Sequence, residues 1–524
     1  MAQGGMRPSR LLQRFDELGH SDAVAVRDSH GSIRFAHLAA SARALAARLE
    51  REGLQGQRIA LLAPQDRSWL EGFWGVLLAG GTVVPLSPLH PPREHAFFYR
   101  ESRAAALLVA DPLSTAIADS RQLPFRASEG AASEGGAGAL PNAASALLPG
   151  DADAERAIAL ILYTSGTTGK PKGALISHRN VFEGARTLQE AWAITASDSV
   201  LHTLPLHHVH GICVSLLSAF LAGAPTEMLL RYDPERVVEA AARSSVLMGV
   251  PTQHVRLVQH LDALPEGSAR QRALDHLRRQ RLLTSGSAAL PEKLGRRLEA
   301  LTGQYPLERY GMTEVGIVIG NPLAGPRLPG SCGKPLPRCQ IRIVDDAGRD
   351  VEPGQPGEIR ISAPTVFEGY DGDEAATRAA FASDTFFQSG DTAAWTPEGY
   401  VKILGRSSVD IIKSGGYKLS ALELEEQLRE HPWVTDVAVV GVPDETWGER
   451  VLAVVVPSAA IPARGDELAG ETLRSWLRER VAGYKVPRRV LFRPDLPRNA
   501  MGKVQKPALI AQLSSSEASE PDRA

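Results

Sequence analysis

Two stretches of this 524-residue chain alternate short apolar runs with helical patterns, and this alternation constrains the fold more than any other feature. In the first stretch, apolar runs at 58–62 and 82–86 flank a helical pattern at 68–78. The second stretch begins after residue 157, and its strand candidates are 159–163, 199–204, 226–229 and 246–249. Strands that alternate with helices are typical of wound, mostly parallel sheets. The sequence therefore predicts an α/β fold whose large N-terminal part holds two wound sheets.

The pattern changes twice in the last third of the chain. After about residue 329, short segments punctuated by Gly and Pro predict a small β-rich subdomain; they are 340–344, 357–362 and 400–404. Beyond Arg406, helical patterns mix with strand-like runs; these are 423–430, 434–440, 451–456 and 471–481. They predict an α+β unit, whose size of roughly 110 residues suits a separate domain.

These changes predict the domain boundaries. We expect a large N-terminal domain at residues 1–405 and a C-terminal domain at residues 406–512. Residues 513–524 are polar and are expected to form a disordered tail. The Gly/Ala/Ser-rich stretch 128–153 has little periodicity and is expected to form a surface loop.

Composition argues against several classes of function. The 58 Lys and Arg residues are mixed with 60 Asp and Glu residues, which argues against a protein that binds nucleic acid or a membrane surface. Cys213, Cys332 and Cys339 form neither a disulfide framework nor a zinc-binding spacing. No apolar run is long enough to span a bilayer, and residues 1–20 lack the apolar core of a secretory signal. A transit peptide is the weaker alternative for these residues. The sequence predicts a soluble, cytoplasmic protein without a protein partner.

The segment with the most chemical information has the sequence YTSGTTGKPKG and directly follows an apolar run, at residues 163–173. Glycines let successive backbone N–H groups turn toward an anion, hydroxyl side chains add donors, and lysines add positive charge. The segment therefore predicts a phosphate-binding loop. It is not a Walker A loop, because Lys170 is followed by Pro171 instead of Ser or Thr. A plain flexible turn is the alternative interpretation.

Seven motifs stand in a fixed order along the chain. They are YTSGTTGKPKG at 163–173, LPLHHVHG at 204–211, SGSAALP at 285–291, ERYGMTE at 308–314, SGD at 389–391, GRSSVDIIKSGGYK at 405–418 and PRNAMGKVQK at 497–506. In this order they resemble the acyl-adenylate-forming family, which includes acyl- and aryl-CoA synthetases, adenylation domains and luciferases. The resemblance covers roughly residues 15–509.

The resemblance implies a two-step reaction, in which a carboxylic acid and MgATP form an acyl-adenylate and the thiol of coenzyme A (CoA) then displaces AMP. It implies a set of nucleotide-binding residues, which are Thr164, Ser165, Gly166, Thr167, Thr168, Gly169, Lys170, Lys172, Gly286, Ser287, Ala288, Glu308, Tyr310, Gly311, Met312, Thr313, Asp391 and Arg406. The Glu314 carboxylate and the Thr164 hydroxyl are suited to the Mg²⁺ that bridges the ATP phosphates. Tyr310 offers a flat face for adenine, and Asp391 offers two acceptor oxygens for the ribose hydroxyls.

Three residues take catalytic roles by the resemblance: Lys503, His208 and Glu314. Lys503 corresponds to the catalytic lysine of the family, whose charge stabilises the α-phosphate during adenylation. His208 corresponds to the family histidine near the acyl and thiol path.

The two steps also imply a mobile C-terminal domain, because Lys503 must leave before a thiol can attack the acyl-adenylate. A hinge is expected near residues 406–410, where many relatives have a charged Asp or Lys and this chain has Ser408. After the domain has turned, CoA would contact Ser414, Gly415, Gly416 and Tyr417.

Within the family, the chain most resembles the malonyl-CoA synthetases, including the mitochondrial type that also takes methylmalonate. The strings that go beyond the general family signature include VLMGVPTQHVRLVQ at 246–259 and GRSSVDIIKSGGYKLSALELE at 405–425. A malonate pocket needs a partner for the second carboxylate. Arg256 and Arg309 stand on segments that bound the acyl site, and a guanidinium can hold a carboxylate bidentately.

His207 and Ser287 could add hydrogen bonds to the same carboxylate. As alternatives, Arg256 could be a surface helix arginine and Arg309 could form a packing contact or a salt bridge. In the mitochondrial relatives the position of Arg256 can be Lys, so Arg309 is the safer candidate.

The sequence therefore predicts an ATP-dependent malonate–CoA ligase that uses Mg²⁺ and CoA and could also accept methylmalonate. Its alternatives are a CoA ligase for another short-chain or aromatic acid and a stand-alone adenylation enzyme that loads a carrier protein. A catalytically silent acyl or nucleotide sensor is a third alternative, and the presence of Glu314, Asp391 and Lys503 argues against it.

Overall fold

A computed structural model describes most of the chain, namely residues 7–115, 117–118, 120–128, 150–164, 171–383, 385–414, 417–444, 446–461, 466–498 and 504–517. The chain divides into two compact units. The first unit comprises residues 1–340 and 361–387, and the second comprises residues 341–360 and 388–524.

The strands of the described residues are, in chain order, β1 (Val24–Asp28), β2 (Gly31–Arg34), β3 (Arg58–Leu62), β4 (Thr82–Leu86), β5 (Ala106–Ala110), β6 (Gln122–Phe125), β7 (Ile158–Thr164), β8 (Lys172–Ser177), β9 (Val200–His202), β10 (Thr226–Met228), β11 (Val246–Gly249), β12 (Leu282–Ser285), β13 (Leu307–Met312), β14 (Gly316–Gly320), β15 (Lys334–Pro335), β16 (Gln340–Val344), β17 (Gly357–Ser362), β18 (Gly369–Tyr370), β19 (Phe387–Trp395), β20 (Val401–Arg406), β21 (Ile411–Ser414), β22 (Tyr417–Ser420), β23 (Val434–Asp444), β24 (Gly448–Pro457) and β25 (Arg489–Phe492).

The α-helices of the described residues are α1 (Arg10–Leu18), α2 (Phe35–Arg51), α3 (Arg67–Leu78), α4 (Pro92–Glu101), α5 (Ala152–Arg156), α6 (His178–Trp192), α7 (Ser218–Ala222), α8 (Pro234–Ala241), α9 (Pro251–Ala263), α10 (Ser268–Arg278), α11 (Glu292–Thr302), α12 (Glu374–Ala379), α13 (Ala421–Arg429), α14 (Asp466–Arg478) and α15 (Lys506–Glu517). A π-helical segment covers His210–Leu217, and a 3₁₀ turn covers Gly483–Lys485.

The first unit contains a nine-stranded sheet with the order β15-β14-β13-β12-β11-β9-β10-β1-β2. The six strands from β13 to β1 in this order are parallel. All residues of β11 and β12 are buried, as expected for parallel strands that are covered on both faces. The carboxyl ends of β9, β11, β12 and β13 therefore lie along the same edge of the sheet, where α/β proteins bind their ligands.

The first unit also contains a seven-stranded sheet with the order β18-β8-β7-β4-β3-β5-β6. Its central strands are parallel, and the antiparallel hairpin β7–β8 extends it. The side chain of Ser177 caps α6 in a capping box with Asn180, which fixes where the chain leaves this hairpin. These two sheets confirm the predicted pair of wound sheets.

The second unit contains a four-stranded sheet, β16-β17-β19-β20, and a five-stranded sheet in which β25 pairs with β24 of β22-β21-β24-β23. The second sheet and helices α13, α14 and α15 form the α+β part that the sequence predicts. The structure groups the β-rich subdomain with the C-terminal residues, whereas the sequence pattern predicts it in the N-terminal domain. The predicted domain boundary between residues 405 and 406 is the point at which the C-terminal domain is expected to turn. This boundary stays a prediction.

The predicted disordered tail is wrong for its first five residues. Helix α15 continues to Glu517, and its residue Leu513 is only 1% exposed. Leu509 and Leu513 are four residues apart, so both lie on the face of α15 that packs against β23. Residues 518–524 and the predicted loop residues 129–149 lie outside the described residues. No helix in the described part of the chain is long and apolar enough to cross a membrane.

Candidate active site

Three of the sequence motifs follow the carboxyl ends of neighbouring parallel strands, and a fourth lies within the next strand of the same sheet. LPLHHVHG follows β9, the VPT sequence at 250–252 follows β11, and Gly286 follows β12. Arg309 lies within β13, one residue beyond the register pair Ser285–Glu308. The order β13-β12-β11-β9 therefore brings residues that are far apart in sequence to one edge of the nine-stranded sheet.

The side chain of Arg309 is buried next to Gly286. Arg309 is 6% exposed, and its Nε and Nη2 atoms have no hydrogen-bond partner in the described part of the chain. A β-carbon at residue 286 would lie 2.3 Å from the Cζ atom of Arg309, so only glycine leaves room for the guanidinium. Burial lowers the pKa of Arg309 to about 9. A buried cation with two unsatisfied donors is suited to bind an anion.

His210 lies beside Arg309 and was missing from the predicted site residues. Its Nδ1 atom lies 3.0 Å from Oγ of Ser287, and its Nε2 atom is buried without a hydrogen-bond partner among the described residues. Burial, and then the charge of Arg309, lower the pKa of His210 well below its usual value, so the ring is neutral at pH 7. When Nδ1 accepts a hydrogen bond from the Ser287 hydroxyl, Nε2 carries the ring hydrogen and is a donor.

Ser287 has a φ of 65°, in the left-handed region that a residue with a side chain rarely adopts. Such backbone conformations are often found at binding sites. We refer to Arg309, His210 and Ser287 as the anion-binding cluster.

Two further histidines of LPLHHVHG lie next to each other. The ring centroid of His207 is 4.0 Å from that of His208 and 5.2 Å from that of His90. Burial, followed by the neighbouring histidines, lowers the pKa of His207 to about 2 and that of His208 to about 4. Both rings are therefore neutral at pH 7. Among the described residues, no group of three or more His, Cys, Asp or Glu side chains could hold a metal ion.

The buried carboxylate of Glu314 lies at the turn between β13 and β14. The Tyr370 hydroxyl donates a hydrogen bond to Oε1 of Glu314 at 2.9 Å. The Lys172 ammonium lies 5.2 Å from the centroid of the Tyr370 ring. Lys172, the last lysine of the predicted phosphate-binding loop, and Glu314 therefore both lie beside Tyr370. The hairpin itself needs Gly311, because a β-carbon there would lie 1.9 Å from the carbonyl oxygen of Gly316.

The phosphate-binding segment lies at the end of the β7–β8 hairpin. Thr164 pairs with Lys172, and the Thr164 hydroxyl donates to the Lys172 carbonyl at 3.4 Å. The predicted binding residues between them lie outside the described residues; they are Ser165, Gly166, Thr167, Thr168, Gly169 and Lys170. The loop's phosphate-binding role stays a prediction.

The remaining predicted nucleotide-binding residues of the first unit lie around this edge of the sheet. Glu308 accepts a hydrogen bond from the Gly330 amide at 3.2 Å, and Tyr310 continues β13. Thr313 lines a small, mainly apolar cavity together with Val209. Ala288 is exposed beside Ser287, and Met312 ends β13.

Arg256 has a different environment from Arg309. It is exposed on α9, and its guanidinium lies 5.0 Å from the centroid of the Tyr232 ring. This is the environment of a surface helix arginine, which was the alternative interpretation. No contact described for the chain joins Arg256 to Arg309, and its carboxylate-binding role stays a prediction without support from these contacts.

In the second unit, Asp391 and Arg406 lie opposite each other on the paired strands β19 and β20. Nε of Arg406 lies 3.1 Å from Oδ1 of Asp391, and its Nη1 donates to the Ser389 carbonyl at 2.6 Å. The arginine therefore holds the Asp391 carboxylate in place. This is the pair that the sequence assigns to the nucleotide.

The predicted hinge and CoA-binding residues come directly after Arg406 in the sequence. Ser408 lies in a turn that is closed by a hydrogen bond from the Asp410 amide to the Arg406 carbonyl at 2.8 Å. Ser414 and Tyr417 pair at the end of the β21–β22 hairpin, and the exposed Tyr417 ring stacks on Tyr484. Gly415, Gly416 and the predicted catalytic Lys503 lie outside the described residues.

Comparisons with known proteins identify the family of the chain. Residues 16–371 match the model of the AMP-binding enzyme family, and residues 423–503 match that of the AMP-binding enzyme C-terminal domain. The chain is 38% identical to the mitochondrial malonate–CoA ligase of Mus musculus, over 95% of this chain and 89% of that protein.

Solved structures are similar over nearly the whole chain. ATP-bound MatB from Rhodopseudomonas palustris is 32% identical with a TM-score of 0.83, over 98% of this chain and all of that one. A malonyl-CoA ligase with methylmalonyl-CoA and AMP bound is 35% identical with a TM-score of 0.65, over 91% of this chain and 97% of that chain.

The two wound sheets, the C-terminal α+β part and the site at the sheet edge define an adenylate-forming enzyme, and the chain belongs to the AMP-binding enzyme family. More narrowly, it is an AMP-forming acid–CoA ligase that acts on small molecules and uses ATP, Mg²⁺ and CoA.

Proposed function

We propose that this acid–CoA ligase is a malonate–CoA ligase. The observation that carries the proposal is the buried guanidinium of Arg309, whose Nε and Nη2 atoms have no partner among the described residues. The second carboxylate of malonate would supply the missing acceptor, and a planar guanidinium can bind it bidentately.

Acids that lack a second carboxylate should be poorer substrates than malonate. Acetate would leave the Arg309 guanidinium desolvated and unpaired, which costs on the order of 2–4 kcal/mol relative to malonate. At 1.4 kcal/mol per factor of ten, this gives a preference of roughly 30- to 1000-fold. A fatty acid or benzoate would place apolar atoms against the same buried cation and would be rejected for the same reason.

His210 adds a second element of recognition. Its neutral ring holds the Ser287 hydroxyl through Nδ1, and its Nε2 atom is buried without a partner in the described part of the chain. A donor at Nε2 would bind a carboxylate without adding a second positive charge beside Arg309. We infer that Arg309 supplies the charge and that His210 and Ser287 fix the orientation of the carboxylate.

The first half-reaction joins the other carboxylate of malonate to the α-phosphorus of ATP and releases pyrophosphate. We infer that Lys503 stabilises the negative charge that develops at the α-phosphate, as in the resembling family. Asp391, held by Arg406 at 3.1 Å, would accept hydrogen bonds from the ribose hydroxyls.

The residues around Glu314 fit the Mg²⁺ that accompanies ATP. The buried Glu314 carboxylate is a hard oxygen ligand of the kind that Mg²⁺ prefers, and the Tyr370 hydroxyl orients it through Oε1. When bound, Mg²⁺ neutralises phosphate charge. Lys172, near Tyr370, would add positive charge on the phosphate side.

In the second half-reaction the CoA thiol attacks the acyl carbon and AMP leaves. We infer that Ser414, Gly415, Gly416 and Tyr417 guide the pantetheine arm after the C-terminal domain has turned at residues 406–410. We infer that His208, whose ring is neutral, lies near the path of the thiol, as its counterpart does in the family.

The relatives support malonate as the acid, since one is a malonate–CoA ligase and another solved structure holds methylmalonyl-CoA. Methylmalonate keeps both carboxylates and adds one methyl group, so we propose that it is a second substrate. A cytoplasmic location stays a prediction.

Pyrophosphate release tests this proposal, with MgATP, CoA and one acid at a time: malonate, methylmalonate, acetate, a medium-chain fatty acid or benzoate. We expect malonate to exceed acetate by at least about 30-fold in kcat/KM. A kcat/KM for acetate or benzoate equal to that for malonate would contradict the proposal. Turnover that needs a carrier protein instead of CoA would favour the carrier-loading alternative.

A further inference from the structure

A buried lysine near the C terminus lies between two carboxylates from distant parts of the chain. Nζ of Lys506 is 2.5 Å from Oδ1 of Asp410 and 2.7 Å from Oε1 of Glu425. The side chains of Lys506, Asp410 and Glu425 are 8%, 15% and 4% exposed. All three belong to the second compact unit.

Each carboxylate is also bound to the backbone. Oδ2 of Asp410 accepts the Arg406 amide at 3.0 Å, so it closes the turn at residues 406–410. Oε1 of Glu425 accepts the amide of Val439 on β23 at 2.9 Å. Lys506 therefore joins the expected hinge turn, helix α13 and strand β23 at one point.

This point lies next to the predicted catalytic lysine in sequence. Lys506 is the first residue of α15, and Lys503, which lies outside the described residues, is three residues earlier. The two ends of the segment that carries Lys503 are fixed to each other. Arg498 and Val504 form an antiparallel bridge, and the Gln505 amide donates to the Pro497 carbonyl at 2.7 Å.

The ion pairs keep Lys506 charged in a buried environment. Burial alone would lower the pKa of its ammonium, but Glu425 and Asp410 outweigh this effect and raise it. Removal of the ammonium would leave two buried carboxylates beside each other, which is strongly unfavourable. The start of α15 would then lose its attachment to the hinge turn.

We propose that Lys506 is a positioning residue for the adenylation half-reaction, and that it acts by fixing the start of α15 and thereby the segment that places Lys503. The proposal rests on the adenylation role proposed for Lys503. Thioester formation takes place after Lys503 has left, so Lys506 matters much less for that step. A lysine that only stabilised the domain would affect both half-reactions alike.

The test compares the two half-reactions in the full-length enzyme. The adenylation rate is measured as malonate-dependent exchange between ATP and pyrophosphate. The rate of thioester formation is measured with prepared malonyl-adenylate and CoA. The variant Lys506→Met is compared with Lys506→Arg, which keeps the charge. Lys503→Ala is the reference for loss of the catalytic lysine.

Arg429→Met is the matched control. Arg429 also contacts Glu425, at 3.2 Å, but it lies on α13 and pairs neither with Asp410 nor with α15 through any described contact. We expect Lys506→Met to lower the adenylation rate by about 100-fold while thioester formation stays within about 3-fold of wild type. Lys506→Arg should restore most of the adenylation rate, and Arg429→Met should change neither rate by more than about 3-fold.

An equal loss in both half-reactions, or no loss in either, would overturn the proposal. If Lys506→Met does not fold, Glu425→Gln gives the same comparison, because it removes one of the two charges that hold Lys506. Full adenylation by Lys503→Ala would instead contradict the role of Lys503 in the proposed function, whatever Lys506 does.

Discussion

The guanidinium of Arg309 occupies the space that a side chain at residue 286 would need, with Cζ 2.3 Å from the position of a β-carbon on Gly286. The two residues come from neighbouring parallel strands, since Gly286 follows β12 and Arg309 lies on β13. Glycine at 286 is therefore a condition for a buried arginine at 309 in this conformation.

Replacement of Gly286 by Ala should displace the Arg309 guanidinium from the anion-binding cluster. Because a small displacement of a binding group can cost about 100-fold in rate, we expect a fall of that order in kcat/KM for malonate. Gly184→Ala is the control, since a β-carbon there would meet its nearest neighbour at 3.7 Å, an ordinary contact. Unchanged malonate kinetics in Gly286→Ala would show that the anion-binding cluster does not bind the acid substrate.

Tyr370→Phe should weaken the use of MgATP. It removes the hydroxyl that donates to Glu314 at 2.9 Å, and a hydrogen bond to a charged group contributes about 1.5–3 kcal/mol. We expect kcat/KM for MgATP to fall by roughly 10-fold or more. Tyr232→Phe is the matched control, because its hydroxyl donates to the Gln253 carbonyl instead. Equal effects of both substitutions would contradict the role of Glu314.

Buried neutral histidines should make the protein less stable in mild acid. Burial lowers the pKa of His254 to about 4 and that of His202 to about 3, below the value of about 6.5 in an unfolded chain. Between about pH 4 and pH 6.5 the unfolded state binds more protons than the folded state does. The free energy of unfolding is therefore highest above about pH 6.5 and falls as the pH decreases toward 4. Each such histidine contributes a slope of up to about 1.4 kcal/mol per pH unit.

Thermal unfolding at pH 7, 6 and 5 measures this effect. We expect His254→Gln to show a smaller decrease in Tm between pH 7 and 5 than the wild type. His20→Gln, at an exposed position, should leave the decrease unchanged. A pH-independent Tm in the wild type would contradict the argument.

The sequence predicts the sheets well where an apolar run is buried on both faces. The strands at 58–62, 82–86 and 246–249 were predicted with the observed bounds. Their residues are almost all buried, so local hydrophobicity alone marks them. The end of α15 was missed because the residues that follow Leu513 are polar, and its burial depends on packing against β23, which is distant in sequence.

The candidate site was predicted in part. Arg309 was recognised as a candidate from its place before Tyr310, but its burial beside Gly286 depends on the strand order β13-β12, which periodicity does not reveal. His210 was missed for the same reason, since its partners Ser287 and Arg309 are distant in sequence. Its one local signal is its place as the third histidine of LPLHHVHG. The contacts of Lys506 with Asp410 and Glu425 have no local signal, because a charged residue near a chain end usually faces solvent.

The most direct test of the central claim measures kcat/KM for malonate and for acetate in the wild type, in Arg309→Ala and in Arg309→Lys. If Arg309 binds the second carboxylate of malonate, Arg309→Ala should lose most of the preference for malonate over acetate. Its turnover of acetate should stay the same or rise. Arg309→Lys keeps the charge without the bidentate fork and should retain part of the preference. An unchanged ratio of malonate to acetate in Arg309→Ala would contradict the claim.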